Sequence, residues 1–240
     1  MQFGFGLGLA HLRPASVNAD PIAGLYGTGM GQIPMHHDPE AAVLDGNGNV
    51  TSIANRGGAG PLFNATASAT GITRTGNLLN VTSQDLRLVL ANPADMVGTR
   101  LFIVAAFDPA SVPDPRLFGN ASPVNFGRIH QTQGNLLLSR AGAQAFLASP
   151  TNLGNALHLF EIELAGGKVS YWVDGVLRES AANTWTDFTI NLLYGATTGF
   201  GFIGRSGAVL SVITDGTPAR DGTMLDVRRA LAAKHGITLP

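Results

Sequence analysis

The sequence predicts an all-β fold, a two-sheet antiparallel sandwich, and two observations carry this prediction. From about residue 41 to residue 240, short apolar stretches alternate with clusters of Gly, Asn, Pro and Asp, as is typical of short strands joined by turns. Within several stretches apolar and polar residues alternate, which is the period of a strand with one buried face. We therefore expect one sandwich over residues 41–240, preceded by an extended, Gly- and Pro-rich arm over residues 1–40.

The arm begins with a strand-like pattern. Phe3, Phe5, Leu7 and Leu9 alternate with glycines, so an extended segment would carry all four side chains on one face. Left exposed, such a stripe would promote aggregation. We predict that this assembly arm docks on a neighbouring subunit or a partner protein; the alternative is that it folds back as an edge strand of its own sandwich. The first cation follows the apolar run, unlike in a signal peptide, so we expect the segment to be retained.

The predicted strands of the sandwich follow one another along the chain. They cover residues 50–54, 62–66, 86–90, 100–107, 157–164, 168–173, 186–194 and 202–214. The stretch 101–107 is apolar at every position, as expected for a strand near the centre of a sandwich that is covered on both faces. The hairpin 157–177 is the clearest local signal, because Gly166-Gly167 and Asp174-Gly175 suit its two tight turns.

One helix is predicted at the end of the chain, over residues 223–235. Thr223 can cap its first turn, and Met224 and Val227 share one face at helical spacing. Gly236 follows the last turn, where glycine commonly adopts the left-handed conformation. We expect this helix to pack on the outside of the sandwich.

Three stretches together resemble the concanavalin A-like lectin/glucanase superfamily, in particular its laminin G-like domains. Residues 43–58 are similar to a D-G-N-x-V-x-x-W-x-N opening, with Ile53 where tryptophan is common. The hairpin 157–177 is similar to a G-x-V-x-x-Y-V-D-G segment, and residues 201–240 to a G-x-I-G strand followed by a short helix. The resemblance implies a jelly roll of the kind found in virion proteins of tailed phages. Because this fold hosts lectins, glycan hydrolases and adhesive modules, it implies no single function.

The resemblance also bears on catalysis. The glucanases of the superfamily carry three carboxylates on alternate residues of one strand. Here Glu161 and Glu163 supply two, and Ala165 stands where the third would be. Two carboxylates are the minimum for glycoside hydrolysis. Without the third, the proton-transfer and nucleophile roles lack the usual adjustment of their pKa values. We interpret both glutamates as side chains on the solvent face of a strand, and we predict that the protein is not an enzyme and has no catalytic residue.

Sugar binding would require an aromatic platform, because a ring face stacks on a pyranose while polar neighbours bind its hydroxyls. Trp185 lies in a polar loop with Asp187 and is the better candidate. Trp172 is the second, since it lies on the strand face opposite its apolar neighbours. The alternative is that Trp185 packs as a rim residue of the sandwich.

No cofactor is predicted, and calcium is the one ion for which the chain offers candidate ligands. The resemblance implies a calcium site built from an aspartate and loop carbonyls on the sandwich rim. Four aspartates fall at predicted strand ends or turns: Asp45, Asp174, Asp187 and Asp215. Aspartate also suits turns for its own hydrogen bonding. We expect His36 and His37 to be exposed or at an interface rather than metal ligands, because adjacent side chains point apart in an extended chain.

Composition narrows the functional classes. The formal net charge is −1 and no basic block occurs, which argues against nucleic-acid binding. No run of 18 apolar residues occurs, so no membrane-spanning helix is expected. Cysteine is absent, which excludes disulfides and thiolate chemistry. Charged residues form 13% of the chain, about half of the roughly 25% usual in soluble domains. A surface so poor in charge suits burial in an assembly; the alternative is a compositional bias of the genome, since arginine outnumbers lysine 13 to 2.

These observations lead to three functional hypotheses. The first is a non-catalytic structural virion protein of a tailed phage or phage-like particle, a head decoration or tail-surface component that lies in the virion. It would attach through its arm to other virion proteins or to copies of itself. The second is a carbohydrate-binding adhesin that recognises host-surface glycans. The third, a glycan hydrolase, comes last.

Overall fold

The computed structural model of the protein describes residues 33–108, 115–120, 124–130, 133–149, 152–195, 200–214 and 218–240. The predicted assembly arm residues Phe3, Phe5, Leu7 and Leu9, and the calcium candidate Asp215, lie outside the described residues. Their predictions therefore stay predictions.

Seventeen strands occur in the described parts of the chain. They are β1 (Met35–His37), β2 (Ala42–Leu44), β3 (Val50–Ile53), β4 (Ala65–Ala67), β5 (Ile72–Thr75), β6 (Leu78–Val81), β7 (Leu88–Asp95), β8 (Thr99–Phe107), β9 (Arg116–Asn120), β10 (Asn125–Ile129), β11 (Leu136–Arg140), β12 (Ala143–Leu147), β13 (His158–Ala165), β14 (Lys168–Val173), β15 (Val176–Ala182), β16 (Thr189–Leu193) and β17 (Gly204–Ile213). Short 3₁₀ helices cover Pro39–Ala41 and Gly60–Phe63.

These strands pair into two antiparallel sheets, as predicted. Sheet A has the order β15-β14-β13-β8-β17-β6-β5, and β1 pairs with β17 as well. Sheet B has the order β12-β11-β10-β9-β16-β7-β4-β3-β2. The buried apolar residues between the sheets form one continuous core. Within it the ring of Phe107 packs edge-on against Phe160 and Phe202, with ring centroids 5.9 and 5.6 Å apart, an arrangement that aromatic pairs favour.

The hairpin predicted over residues 157–177 is confirmed by the pairing of β13, β14 and β15. Gly166 and Gly167 have φ angles of 60° and 73°, and Asp174 and Gly175 have φ angles of 51° and 81°. Left-handed backbone at both turns is what tight hairpins require. The third strand runs on to Ala182, further than the sequence predicted.

The C-terminal helix, α1 (Pro218–His235), lies on the outer face of sheet A. It begins at Pro218, five residues before the predicted cap Thr223, and proline is compatible with a first helical turn. It ends at His235, and Gly236 has a φ of 66°, as predicted. Its apolar side packs on the outer face of β8, β13 and β17. Strand β8 is buried along its whole length because the core covers one face and α1 covers the other.

The sandwich begins before residue 41. Strand β1 pairs antiparallel with the second half of β17, with Met35 opposite Ser211 and His37 opposite Val209. Ile33 is fully buried and packs in the same apolar cluster as α1. Residues 33–40 of the predicted arm therefore belong to the sandwich, because they complete the edge of sheet A beside β6. Across the described residues, no helix has the length and apolar character that crossing a membrane requires.

Candidate functional site

The two glutamates of β13 lie on the outer face of sheet A, but that face is not open to solvent at Glu161. Helix α1 covers the position, and the side chain of Glu161 is fully buried. Arg228 of α1 donates through Nη2 to Oε2 of Glu161 at 2.9 Å, and Arg100 of β8 donates through Nη1 to the same oxygen at 3.2 Å. The prediction that Glu161 faces solvent is wrong, since the strand period identifies a face but not what covers it.

Glu161, Arg100 and Arg228 form an ion cluster under α1, and Glu163 lies at its margin. Its carboxylate pairs with Nη2 of Arg100 at 2.8 Å, and its side chain is 20% exposed. The guanidinium of Arg100 also lies 4.0 Å from the centre of the Trp172 ring, a distance at which a cation and a ring face attract. Trp172 therefore lies beside the ion cluster under α1, with one ring face covered by Arg100.

Trp185 and Asp187 lie at the rim of the sandwich, away from Trp172. The ring of Trp185 stacks on the buried ring of Phe188, with centroids 5.6 Å apart and planes 7° apart. Asp187 is exposed and forms an ion pair with Arg140. The structure thus places Trp185 as a rim residue packed against the core. The sugar-binding role of Trp185, Asp187 and Trp172 stays a prediction.

The calcium candidates that the structure describes do not come together. Asp45 accepts backbone hydrogen bonds from Asn47 and Asn49 in its own turn, and hydrogen bonding, first from Asn49, lowers its pKa. Asp174 accepts from the backbone of Leu159 at 2.8 Å and lies 2.6 Å from Nδ1 of His158. Among the described residues, no group of three or more His, Asp or Glu side chains could hold a metal ion.

The expectation that His36 and His37 are exposed or at an interface is wrong. Both are buried, because β1 is inserted in sheet A beside β17. Burial lowers the pKa of His36 to about 3 and that of His37 to about 4. The neighbouring carboxylate of Asp38 is also fully buried and accepts hydrogen bonds from Arg56 and Lys234, each at 2.7 Å. This cluster joins β1 to the C-terminal helix.

A cleft of about 560 Å³, which we call the polar cleft, opens at the end of sheet A where β8 ends and β17 begins. Its hydrogen-bonding side chains come from four distant parts of the chain: Asn80, Thr82, Asp108, Asn155 and Arg205. Its floor includes Ala106 of β8 and Gly204 of β17.

The backbone at the floor of the polar cleft requires glycine. Gly204 has a φ of 150°, and a Cβ at this position would lie 2.1 Å from the carbonyl oxygen of Ala106. Arg205, the next residue, is exposed and donates through Nη2 to the backbone carbonyl of Asn155 at 3.1 Å. That hydrogen bond holds the guanidinium at the wall of the cleft. The position of the guanidinium is therefore set both by β17, which carries Arg205, and by the loop that carries Asn155.

No local pattern in the sequence pointed to the polar cleft. Asn80 lies on β6, Asp108 follows β8 and Asn155 lies in the loop before β13, so long-range strand pairing brings them together. An amide or a carboxylate at a strand end is also ordinary turn chemistry. The one usable signal was the glycine in the G-x-I-G stretch at 201–204, since glycine within a strand often marks a close backbone approach.

No protein-family model matches the chain, and no curated protein sequence matches it. Solved structures do match. Domain 4 of AbnA, an extracellular arabinanase of Geobacillus stearothermophilus, in complex with arabinotriose is 11% identical with a TM-score of 0.59; the match covers 83% of this chain and 98% of that chain. The sialidase of Trypanosoma rangeli in complex with sialic acid is 12% identical with a TM-score of 0.56, over 85% of this chain and 33% of that chain.

These matches show the fold. The chain folds as a two-sheet antiparallel jelly-roll sandwich, the fold that the resemblance implied. It spans almost the whole of the arabinanase domain and about a third of the sialidase. At this level of identity the matches carry no residue roles from one protein to the other.

Proposed function

We propose that this protein is a non-catalytic carbohydrate-binding module that holds an oligosaccharide in the polar cleft. The cleft itself carries the proposal. Its volume of about 560 Å³ lies within the roughly 300–1,000 Å³ that is usual for small-molecule sites. It is also lined by side chains whose chemistry suits sugar hydroxyls.

Sugar hydroxyls donate and accept hydrogen bonds, and the cleft offers both functions. The amides of Asn80 and Asn155 donate and accept, the guanidinium of Arg205 donates, and the carboxylate of Asp108 accepts. The hydroxyl of Thr82 donates to the backbone carbonyl of Gly71 at 3.1 Å, so toward a ligand it accepts. A site built from such groups rejects ligands that lack the matching hydroxyls, because its polar groups would then lose their hydrogen bonds. Recognition by this cleft would therefore rest on hydrogen bonds.

The ion cluster under α1 supports a binding role over a catalytic one. Both oxygens of Glu161 accept hydrogen bonds from arginine, and α1 lies between this carboxylate and any polysaccharide. Glu163 shares Arg100 with it. General acid catalysis needs a carboxyl group within hydrogen-bond reach of the glycosidic oxygen. Two similar folds, the arabinanase domain and the sialidase, were solved with arabinotriose and sialic acid, which supports a glycan as the ligand class.

The test is a glycan array probed with the full chain, followed by calorimetric titration of the best ligand. We expect Arg205→Ala and Asn80→Ala to weaken binding at least tenfold, about 1.4 kcal/mol each. Arg229→Ala is the matched control, because this arginine of α1 does not line the cleft and its side chain is 66% exposed. Absence of any array signal, or equal affinity of the Arg205 and Arg229 variants, would refute the proposal. Release of reducing sugar that Glu161→Gln abolishes would refute its non-catalytic part.

As a second candidate we propose that the module is a virion-surface component of a tailed phage or phage-like particle. The low charged fraction of 13% favours an assembled setting, and so do large apolar side chains that are more than half exposed, namely Val43, Leu62, Phe146, Leu177 and Phe200. Surface residues of this kind mark interaction sites when they cluster. Co-sedimentation of the chain with particles tests this setting, and its failure leaves the array result unaffected.

A further inference from the structure

A second cleft, of about 280 Å³, lies at the opposite end of β8 and β17 from the polar cleft. Its apolar wall is formed by Pro34, Phe63, Val97 and Ile213, and we call it the apolar cleft. Ile213 is 37% exposed, although it ends a strand whose preceding seven residues are buried. An exposed apolar concavity of this size, about nine water molecules at roughly 30 Å³ each, is a site for apolar side chains.

Several of the polar groups around the apolar cleft already form hydrogen bonds within the sandwich. Among the described residues that line it, Asp95 is the one with a charged side chain, and its Oδ1 accepts from the backbone of Val97 at 3.0 Å and of Phe188 at 3.2 Å. The backbone N–H of Gly98 donates to Leu164 at 2.6 Å, and its carbonyl accepts from Thr214 at 2.7 Å. With these groups engaged and four apolar side chains in the wall, an apolar occupant suits this cleft best.

The N-terminal segment of the chain has that chemistry. Phe3, Phe5, Leu7 and Leu9 recur at every second position with glycine between them, so an extended segment would present its apolar side chains along one face. Alternate side chains in a strand are about 6.6 Å apart, so neighbouring members of the stripe could enter one cleft together. The opposite face of such a segment would carry no side chains, because glycine has none.

The described part of the chain begins beside the apolar cleft, so the preceding residues are tethered close to it. Pro34 lines the apolar cleft, and 23 residues separate Leu9 from Ile33. At no more than about 3.6 Å per residue they span up to about 80 Å, which is ample to return to a cleft beside residue 34. A tethered segment has an effective concentration in roughly the millimolar range, so the chain's own segment has an advantage over that of another copy.

We propose that residues 3–9 of the chain bind in the apolar cleft of the same chain and insert neighbouring apolar side chains between Phe63, Val97 and Ile213. This surface is separate from the polar cleft, and the proposal does not depend on carbohydrate binding. It assigns the arm to its own sandwich, through side-chain packing rather than through the pairing of an edge strand.

Photo-crosslinking in the full chain tests the proposal. Phe5 is replaced by benzoylphenylalanine, which keeps an aromatic ring, and crosslinked peptides are mapped by mass spectrometry after irradiation of an equal mixture of unlabelled and ¹⁵N-labelled protein. We expect crosslinks to residues 61–63, 94–99 or 211–213, within molecules of one label. Crosslinks dispersed elsewhere, or none, would overturn the proposal. Crosslinks to the cleft that join the two labels would overturn its assignment to the same chain.

Two substitutions make the test specific. Ile213→Glu places a charge in the apolar cleft, and it should lower the crosslink yield at least tenfold. Leu177→Glu is the matched control, because Leu177 is 52% exposed and β15 lies four strands from β17 in sheet A, about 19 Å away. If Ile213→Glu does not fold, as judged by its thermal melt, Ile213→Ser replaces it. Equal yields from the cleft variant and the Leu177 variant would contradict the proposal.

Discussion

Replacing Glu161 by glutamine probes the helix-covered face of sheet A most directly. The substitution keeps the shape of the side chain and removes the charge that lies between Arg100 and Arg228. Both arginines are themselves poorly exposed, at 11% and 17% of their side chains, so water cannot readily solvate the charge they would retain. Removing one partner of a buried ion pair costs about 3–5 kcal/mol. For a domain of this size that loss corresponds to a fall of roughly 6–20 °C in melting temperature, at about 2–4 °C per kcal/mol.

Glu163→Gln is the internal control for this prediction. Its carboxylate shares the same arginine, Arg100, but its side chain is 20% exposed, and a pair so near solvent contributes about 1 kcal/mol or less. Thermal and urea unfolding of the two variants, followed by circular dichroism, measure the difference. Losses of the same small size in both variants would show that Glu161 does not anchor α1. Increased stability of Glu161→Gln would show that the carboxylate is kept for another purpose.

The remaining predictions concern burial of other groups. Three buried histidines have pKa values lowered, chiefly by burial, to between about 3 and 4: His36, His37 and His235. Since a histidine of the unfolded chain binds a proton near pH 6.5 and these three do not, each lowers the stability by about 1.4 kcal/mol at pH 5.5 relative to pH 7.5. His158, whose pKa is raised by its hydrogen bonds to Asp174 and Leu153 against the effect of burial, offsets part of this loss; we expect a net fall in stability between pH 7.5 and 5.5, and a urea midpoint that does not move would contradict this. Gly207→Ala would place a Cβ 2.5 Å from the His235 ring and should cost about 1–3 kcal/mol, whereas Gly46→Ala, with open space around it, leaves the melting temperature within about 2 °C. Trp185→Ala should lower the melting temperature through the lost stacking on Phe188 and leave glycan affinity unchanged; the opposite outcome would make Trp185 the sugar platform.

The local signals in the sequence predicted the strands whose patterns are complete within a few residues. The 157–177 hairpin was readable because the alternation and both turns lie in one contiguous stretch, and the strand at 100–107 because a run apolar at every position requires cover on two faces. Strands β9 to β12 escaped prediction. Their inward positions include Gly127, which lies against the ring of Phe118 with no room for a Cβ. A glycine that looks like a turn residue is here a packing requirement.

The candidate site was much less predictable than the sandwich. Arg228 and Glu161 are 67 positions apart, and the polar cleft joins residues 80, 108, 155 and 205. Such contacts are set by the order of strands in a sheet, which single-sequence periodicity does not encode. The placement of Glu161 illustrates the limit. Alternation correctly assigned Glu161 to the outer face of its strand. Whether that face is exposed to solvent depends on α1, which packs across sheet A and buries it.

The two described clefts lie away from the part of sheet A that α1 covers. The middle of the outer face of sheet A is filled by apolar contacts between α1 and β8, β13 and β17. The two clefts lie at the ends of β8, which is nine residues long and about 26 Å from first to last Cα, and the apolar cleft also has Ala94 and Asp95 of β7 in its wall. Their chemistry differs: the end near Arg205 offers hydrogen-bonding side chains, and the end near Ile213 offers apolar ones. A hydrophilic glycan matches the first and a Phe- and Leu-bearing segment matches the second. The same two central strands can thus support recognition at one end and attachment of the arm at the other, without either ligand displacing the helix.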